Sequence, residues 1–359
     1  MKSILINKGF ELEFSEAVKR ESEALTDELS EADVARRRDM RDITTFTIDP
    51  DTAKDFDDAL SYRILEDGRK EIGVHIADVT HYVRPETALD KEALKRSTSV
   101  YLVDRVLPML PEKISNELCS LRPNEDKFTF SAIFQINDEA QVKQYWLGRT
   151  VIHSDKRYAY EDVQTIIDTS EGENADDILL LHSLAQKLRQ ARFKKGAINF
   201  SSQEVRFTLD ENVKPIGITV KESKPSHQLI EEFMLLANKT VAENISKIQI
   251  NKQALPFPYR IHDQPDPEKL APFVQYAKKY GHGFDASSPE KISASFNQLL
   301  EDAKGKPEQH VLEQLGIRTM AKAIYSTQNI GHYGLAFDFY CHFTSPIRRY
   351  PDVLVHRVL

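Results

Sequence analysis

The segment TFTIDPDTAKDFDDALSY, Thr45 to Tyr62, holds Asp49, Asp51, Asp55, Asp57 and Asp58 among apolar and β-branched residues. Two carboxylates about 5 Å apart repel by roughly 3 kcal/mol at an effective dielectric near 20, so a fold that gathers several calls for a cation. Extended backbone points Asp55 and Asp57 to one side, and a turn at Pro50 returns Asp49 to the group. Ligation by oxygen alone selects a hard ion, Mg2+ or Mn2+. A calcium loop counted from Asp55 fails, because Ala59 and Leu60 stand where an EF-hand requires an oxygen ligand and a glycine. The bland reading, an acidic loop in water, is opposed by the need of Phe56, Ala59 and Leu60 for burial. Magnesium-bound carboxylates serve phosphoryl and phosphodiester chemistry. With no P-loop and no G-x-S-x-G motif in the chain, hydrolysis at phosphorus is the economical reading.

A second constellation is HFTSPIRRYPD, His342 to Asp352, where a proline-fixed turn presents Arg348 and Arg349 beside Tyr350. Paired guanidinium groups suit a phosphate through bidentate hydrogen bonds, and a surface salt bridge is the plain alternative. Tyr101 in SVYLVDRVLPMLP and Tyr160 in KRYAYEDV stand at loops where rings could stack on bases, although tyrosines more often serve as core or rim. His75, Asp78 and His81 have the spacing of a metal site, yet the alternation of EIGVHIADV makes a structural strand simpler.

These groups need a core to hold them, and 359 residues with 40% hydrophobic and 29% charged side chains supply one. Cys119 and Cys341 lack metal-ligand spacing and read as an accidental pair in a reducing compartment, so the cytoplasm is the expected location. MKSILINKGFELEF is neither a signal peptide nor a membrane span. A formal charge of −8 argues against holding polyanions by bulk electrostatics, though local basic patches could do so.

Residues 1–42 read as a charged lead-in or linker, with Arg36 to Arg38 as a solvated face. From Ile43 onward, TTFTI, ALSYRI and EIGVHIADV are short strand-like runs, and Phe128 to Ile136 with Val142 to Ile152 predict a hairpin around Asn137 and Asp138. The second half turns helical. The spacing predicts a helix ending at Gly196, one capped by Ser226, one ending at Gly281, and two more over about 288–304 and 307–329. The expectation is a mixed α/β (α+β) domain over 43–359, sheet-rich first and helix-rich after. PDVLVHRVL stops in an apolar run, so the chain is expected to be a fragment of a longer protein.

Together, TIDPDTAKDFDDA, VHIADVTHYV, LPMLPEKISNELCSLRPNEDK, GAINF, LIEEFMLLAN and HFTSPIRRYPD resemble, in order, the catalytic RNB domain of the ribonuclease II and ribonuclease R exoribonucleases. HFTSPIRRYPD and ARRRDMRD lie closer to ribonuclease R. The resemblance implies an RNA channel and Mg2+-dependent hydrolysis from the 3′ end that releases nucleoside 5′-monophosphates. It carries the four catalytic acids and metal ligands onto Asp49, Asp55, Asp57 and Asp58, while Asp51 falls on a variable position. It further implies base clamping by Tyr101, a second active-site tyrosine at Tyr160, and a scissile-phosphate contact at Arg348. The clamp's aromatic partner falls on Phe200, a core phenylalanine being the other reading. An acid near the terminal nucleotides falls on Glu231 or Glu232, of which we assign Glu232, and Arg349 joins the RNA contacts.

The family's RNA-binding barrels, cold-shock type before the catalytic domain and S1 type after it, have no counterpart in these residues, which accounts for the acidic charge. The expected partner is the 3′ end of single-stranded RNA, with no membrane, and the protein is expected to be a monomer. The rival reading is an inactive RNA-binding module of the same fold. A metal-dependent phosphatase would leave the aromatic and arginine motifs unexplained.

Overall fold

A computed structural model describes residues 2–200, 204–211, 214–221 and 223–359. Its centre is a sheet in which the strands Arg38–Asp39, Val142–Ser154, Glu125–Ile136, Lys70–Ala77, Asp58–Ile64, Thr45–Asp49 and Lys156–Ala159 lie side by side in that order. Neighbours run antiparallel except at the two edges, where Arg38–Asp39 and Lys156–Ala159 pair in parallel. The expected hairpin is present, with Phe128 opposite Val151 and Phe134 opposite Tyr145.

Period-two alternation sorts the side chains onto two faces. Phe46, Leu60, Ile72, Val74, Ile76, Phe130 and Phe134 form one core with the helices Tyr160–Thr169, Ala175–Lys194 and Pro225–Ser246. The other face meets the helices Glu16–Ala24 and Ala88–Arg96 and the π-helical turn Lys113–Leu118. A third core joins Pro267–Lys279, Pro289–Ala303 and Gln309–Thr319 around Phe273 and Phe296. The fold is thus mixed α/β, and no helix among the described residues is long and apolar enough to cross a membrane.

Four sequence expectations need correction. The lead-in is docked rather than merely solvated, since Val18 and Met40 lie in the second core. Arg37, in the presumed solvated run, is buried 2.7 Å from Asp78 and stacks over Phe128 at 4.0 Å. Burial alone would raise the Asp78 pKa, but Arg37 and Arg149 outweigh it and hold the carboxyl below its usual range. The helix from Pro225 has Pro225 in its first turn after Lys224, which moves Ser226 from the cap into the helix. Finally, the helix expected over 307–329 ends at Thr319, because Ile324–Ser326 pairs as a strand with Tyr259–Ile261.

Candidate active site

The aspartates sit where two strands meet a tight connection. Asp49 ends the strand Thr45–Asp49, Pro50 starts a turn closed by the Ala53 N–H on the Pro50 carbonyl at 2.9 Å, and Asp58 opens the strand Asp58–Ile64. Between them, Phe56 is anchored in the second core, and its backbone N–H donates to Ser120 Oγ at 3.0 Å. Burying Phe56 turns Asp55 and Asp57 to the other side, as extended backbone requires.

The turn before the last helix supplies the opposing charge. Ile347 N–H donates to Asp57 Oδ1 at 2.9 Å, and Arg348 Nε lies 3.4 Å from Asp57 Oδ2. That turn is fastened to the segment leading to Tyr101: Ser99 N–H donates to the Arg348 carbonyl at 3.0 Å, and Tyr350 N–H to the Ser97 carbonyl at 2.9 Å. Tyr101 then reaches back, its hydroxyl donating to Asp55 Oδ2 at 3.2 Å while half of its surface stays exposed. Tyr160 arrives by another route. The strand Lys156–Ala159 sets Ala159 opposite Asp49, so the next residue, which begins a helix, faces the cluster and stacks on His227 at 4.1 Å.

The result is a cavity of about 920 Å³ lined by Asp49, Asp55, Asp57, Asp58, Tyr101, Tyr160 and Arg348, together with Phe207 and Leu209. Burial raises the pKa of Asp57 to about 8, against the opposing pull of Arg348 and the Ile347 N–H. Burial also raises Asp49 and Asp58 to about 7, and in each case a neighbouring aspartate charge adds to the rise. Burial and the adjacent carboxylates likewise hold the protons on the Tyr101 and Tyr160 hydroxyls. The cluster is therefore short of positive charge, and the buried Asp49 Oδ2 has no hydrogen-bond partner. An all-oxygen donor set with this deficit fits a hard divalent cation. It is not closed into a cage, since among the described residues no three acidic, histidine or cysteine side chains converge as a preformed metal site.

Several expected residues lie elsewhere. Asp51, a variable position in the family resemblance, is indeed outside the cluster: it is exposed, and Arg157 binds its carbonyl at 2.7 Å. Phe200 does not join Tyr101. It packs edge-on against Phe296 at 5.3 Å in the third core, and the aromatic side chain from that part of the chain that lines the cavity is Phe207. Alternation within EVRFTL could have pointed to Phe207, but the strand Glu204–Leu209 does not stand out from its flanks. Glu232 is buried against Arg192 at 2.5 Å, which leaves Glu231 as the exposed member of the pair. Arg349 turns away from the cavity to Asp352 at 2.7 Å. His75 hydrogen-bonds Ser61 and Ser131 inside the sheet, and Asp78 serves Arg37, so both are structural.

A family signature described as the RNB domain matches residues 37–359. Ribonuclease R of Thermotoga maritima is 44% identical over 354 residues, covering 97% of this chain and 49% of that protein. The solved structure of Mycoplasma genitalium RNase R in complex with ribose-methylated single-stranded RNA aligns with a TM-score of 0.91 at 30% identity, over 100% of this chain and 56% of that one. Yeast Ssd1, a pseudonuclease, shares the fold with a TM-score of 0.75 at 23% identity, over 92% of this chain and 41% of that one. The chain spans about half the length of the curated relatives it matches. Because the signature takes in every residue that lines the cavity, the chain belongs to the RNB domain family.

Proposed function

We propose that this chain carries the catalytic centre of a hydrolytic 3′-to-5′ exoribonuclease that releases nucleoside 5′-monophosphates from single-stranded RNA with Mg2+, or Mn2+ in its place. The observation that supports this most is the gathering of Asp49, Asp55, Asp57 and Asp58 with Arg348 and two tyrosines in one cavity, where desolvation holds the carboxyls of Asp49, Asp57 and Asp58 above their usual range. Membership of the family supports the direction and product proposed here.

Asp49, Asp55, Asp57 and Asp58 would hold the ion, with the unpartnered oxygen of Asp49 the readiest donor. When bound, a divalent cation supplies the charge that lets these carboxyls ionise, polarises the attacking water and offsets charge on the leaving oxygen. Arg348, less than half exposed and steered by Asp57 and by Ser345 Oγ at 2.9 Å, binds the scissile phosphate. Tyr101 lays its ring along a base while its hydroxyl stays on Asp55. The Tyr160 hydroxyl, which keeps its proton, donates to substrate oxygen, and the His227 stack fixes its ring.

The test uses one single-stranded RNA labelled at either end. With Mg2+, the 3′ label is expected to appear at once as a nucleoside 5′-monophosphate while the 5′-labelled strand shortens stepwise, and EDTA stops both. Internal cuts, or no mononucleotide at saturating Mg2+, would overturn the proposal.

A further inference from the structure

Beyond the aspartate cavity, pairing of Tyr259–Ile261 with Ile324–Ser326 sets Arg260 directly opposite Tyr325. The guanidinium lies 4.7 Å from the centre of the Tyr325 ring. Arg260 pairs with no carboxylate among the described residues, which stands out in a chain whose formal charge is −8. Tyr325 is 38% exposed, yet its hydroxyl is tied to His342 Nδ1 at 2.7 Å, so an accessible ring is held in one orientation.

His342 ties Tyr325 to the chain segment that continues to Arg348 at the cavity. Burial pushes its pKa down to about 2, aided by the charges of Arg349, Arg260, His332 and Arg348. Arg348 is paired with Asp57 at the cavity and Arg349 with Asp352, so Arg260 is the one of these three arginines with no carboxylate partner among the described residues. An unpaired planar cation beside a fixed aromatic plate suits one ligand chemistry: a backbone phosphate for the fork of the guanidinium and a base for the plate.

We propose that Arg260 and Tyr325 form a second contact for single-stranded RNA, holding the phosphate and base of a nucleotide that lies outside the aspartate cavity. The inference rests on the reading of that cavity as an RNA-cleaving centre. Its plain competitor is a cross-strand cation–π pair that only braces two short strands.

Titration of a fluorescent single-stranded RNA in EDTA, at several salt concentrations, separates the two. Arg260→Gln is expected to weaken binding about tenfold and to make the logarithmic salt slope shallower by about 0.7, the share of one phosphate contact on a single strand. Arg260→Lys should keep the slope while losing affinity, since it retains charge without the fork. Tyr325→Ala should weaken binding at least about fivefold with an unchanged slope, and Tyr325→Phe by no more than about twofold. Arg69→Gln, which breaks a pair with Asp67 on a turn between two sheet strands, is the control expected to change nothing. Wild-type affinity and slope in a folded Arg260→Gln protein would overturn the contact, and so would a wild-type result for Tyr325→Ala. Arg260-dependent binding without nucleotide release would sink the hydrolase reading alone. Normal hydrolysis with an Arg260-independent slope would sink the contact alone.

Discussion

Single residues decide the chemistry here, and adjacent residues meet opposite fates. Arg348 faces the cavity while Arg349 is spent on Asp352, and Glu232 is sealed against Arg192 while Glu231 is exposed. Asp57 is the most constrained of the aspartates, only 4% exposed, with one oxygen on the Ile347 N–H and the other facing Arg348. Asp57→Asn keeps the shape and the Ile347 bond but removes a ligand charge. We expect turnover at saturating Mg2+ to fall by more than about a hundredfold, since loss of a group behind a ligand already costs about 10- to 100-fold in metal sites. Thermal stability should hold or rise, because the substitution removes a buried carboxyl that its neighbours repel. Single-turnover cleavage and a melting curve check both parts, and near-normal turnover would refute ligation by Asp57.

At the scale of elements, the site is a junction. A strand end, a strand start and the turn before the last helix deliver acid and base, and the Val100–Tyr101 hairpin is bolted to that turn through backbone bonds. The sheet tolerates little change behind them. A Cβ added at Gly73 would lie 2.3 Å from His75 Nε2 and 2.4 Å from Ser61 Oγ, so the strand beside Asp58–Ile64 needs glycine there. Because the hairpin carries a ring and no bond-breaking group, Tyr101→Ala should lose roughly 1 to 3 kcal/mol of stacking and change the length at which digestion stalls, without abolishing cleavage. Tyr101→Phe should keep the wild-type stalling length, since it gives up only the hydroxyl contact with Asp55. Mapping end products on a sequencing gel distinguishes these outcomes, and unchanged products with unchanged affinity for Tyr101→Ala would make it a rim residue.

The whole molecule combines a net charge of −8 with local clusters of both signs, and its buried histidines shape its response to acid. Burial, aided by Arg38, lowers the pKa of His75 from 6.5 to about 3, and burial with neighbouring charges lowers His332 to about 3 and His342 to about 2. Below pH 6.5 the unfolded chain takes up protons at these positions that the native state refuses, so the contribution of these histidines to stability falls as pH falls from 6.5 toward 3, while the raised carboxyls of Asp49, Asp57 and Asp58 contribute the opposite trend until the usual carboxylate range is reached. Each histidine contributes a slope of up to about 1.4 kcal/mol per pH unit in that window. Urea denaturation of the wild-type and His75→Gln proteins at a series of pH values should give the variant a shallower acid limb, whatever the carboxyls contribute to both. An equally steep limb in that variant would mean that His75 is protonated in the native state.

Much of this protein could be read from the sequence alone because the signals were local. Period-two runs foretold the central hairpin, and density of like charge marked the cluster of Asp49, Asp51, Asp55, Asp57 and Asp58, from which only the family resemblance set Asp51 aside. What the chain could not reveal was which distant group meets which. Arg37 looked like part of a solvated run until Asp78, 41 residues away, met it in the interior. Helical periodicity ran on past Thr319 until Tyr259–Ile261 claimed Ile324–Ser326 as a strand partner. Phe200 and Phe207 are equally aromatic, and only packing against Phe296 assigned one to a core and left the other at the cavity. Asp57 and Ile347 stand 290 residues apart, and their hydrogen bond brings Arg348 to the aspartates. Charge and period are properties of neighbours in the chain, whereas pairing and burial depend on neighbours in space, and those exist only once the strands have closed.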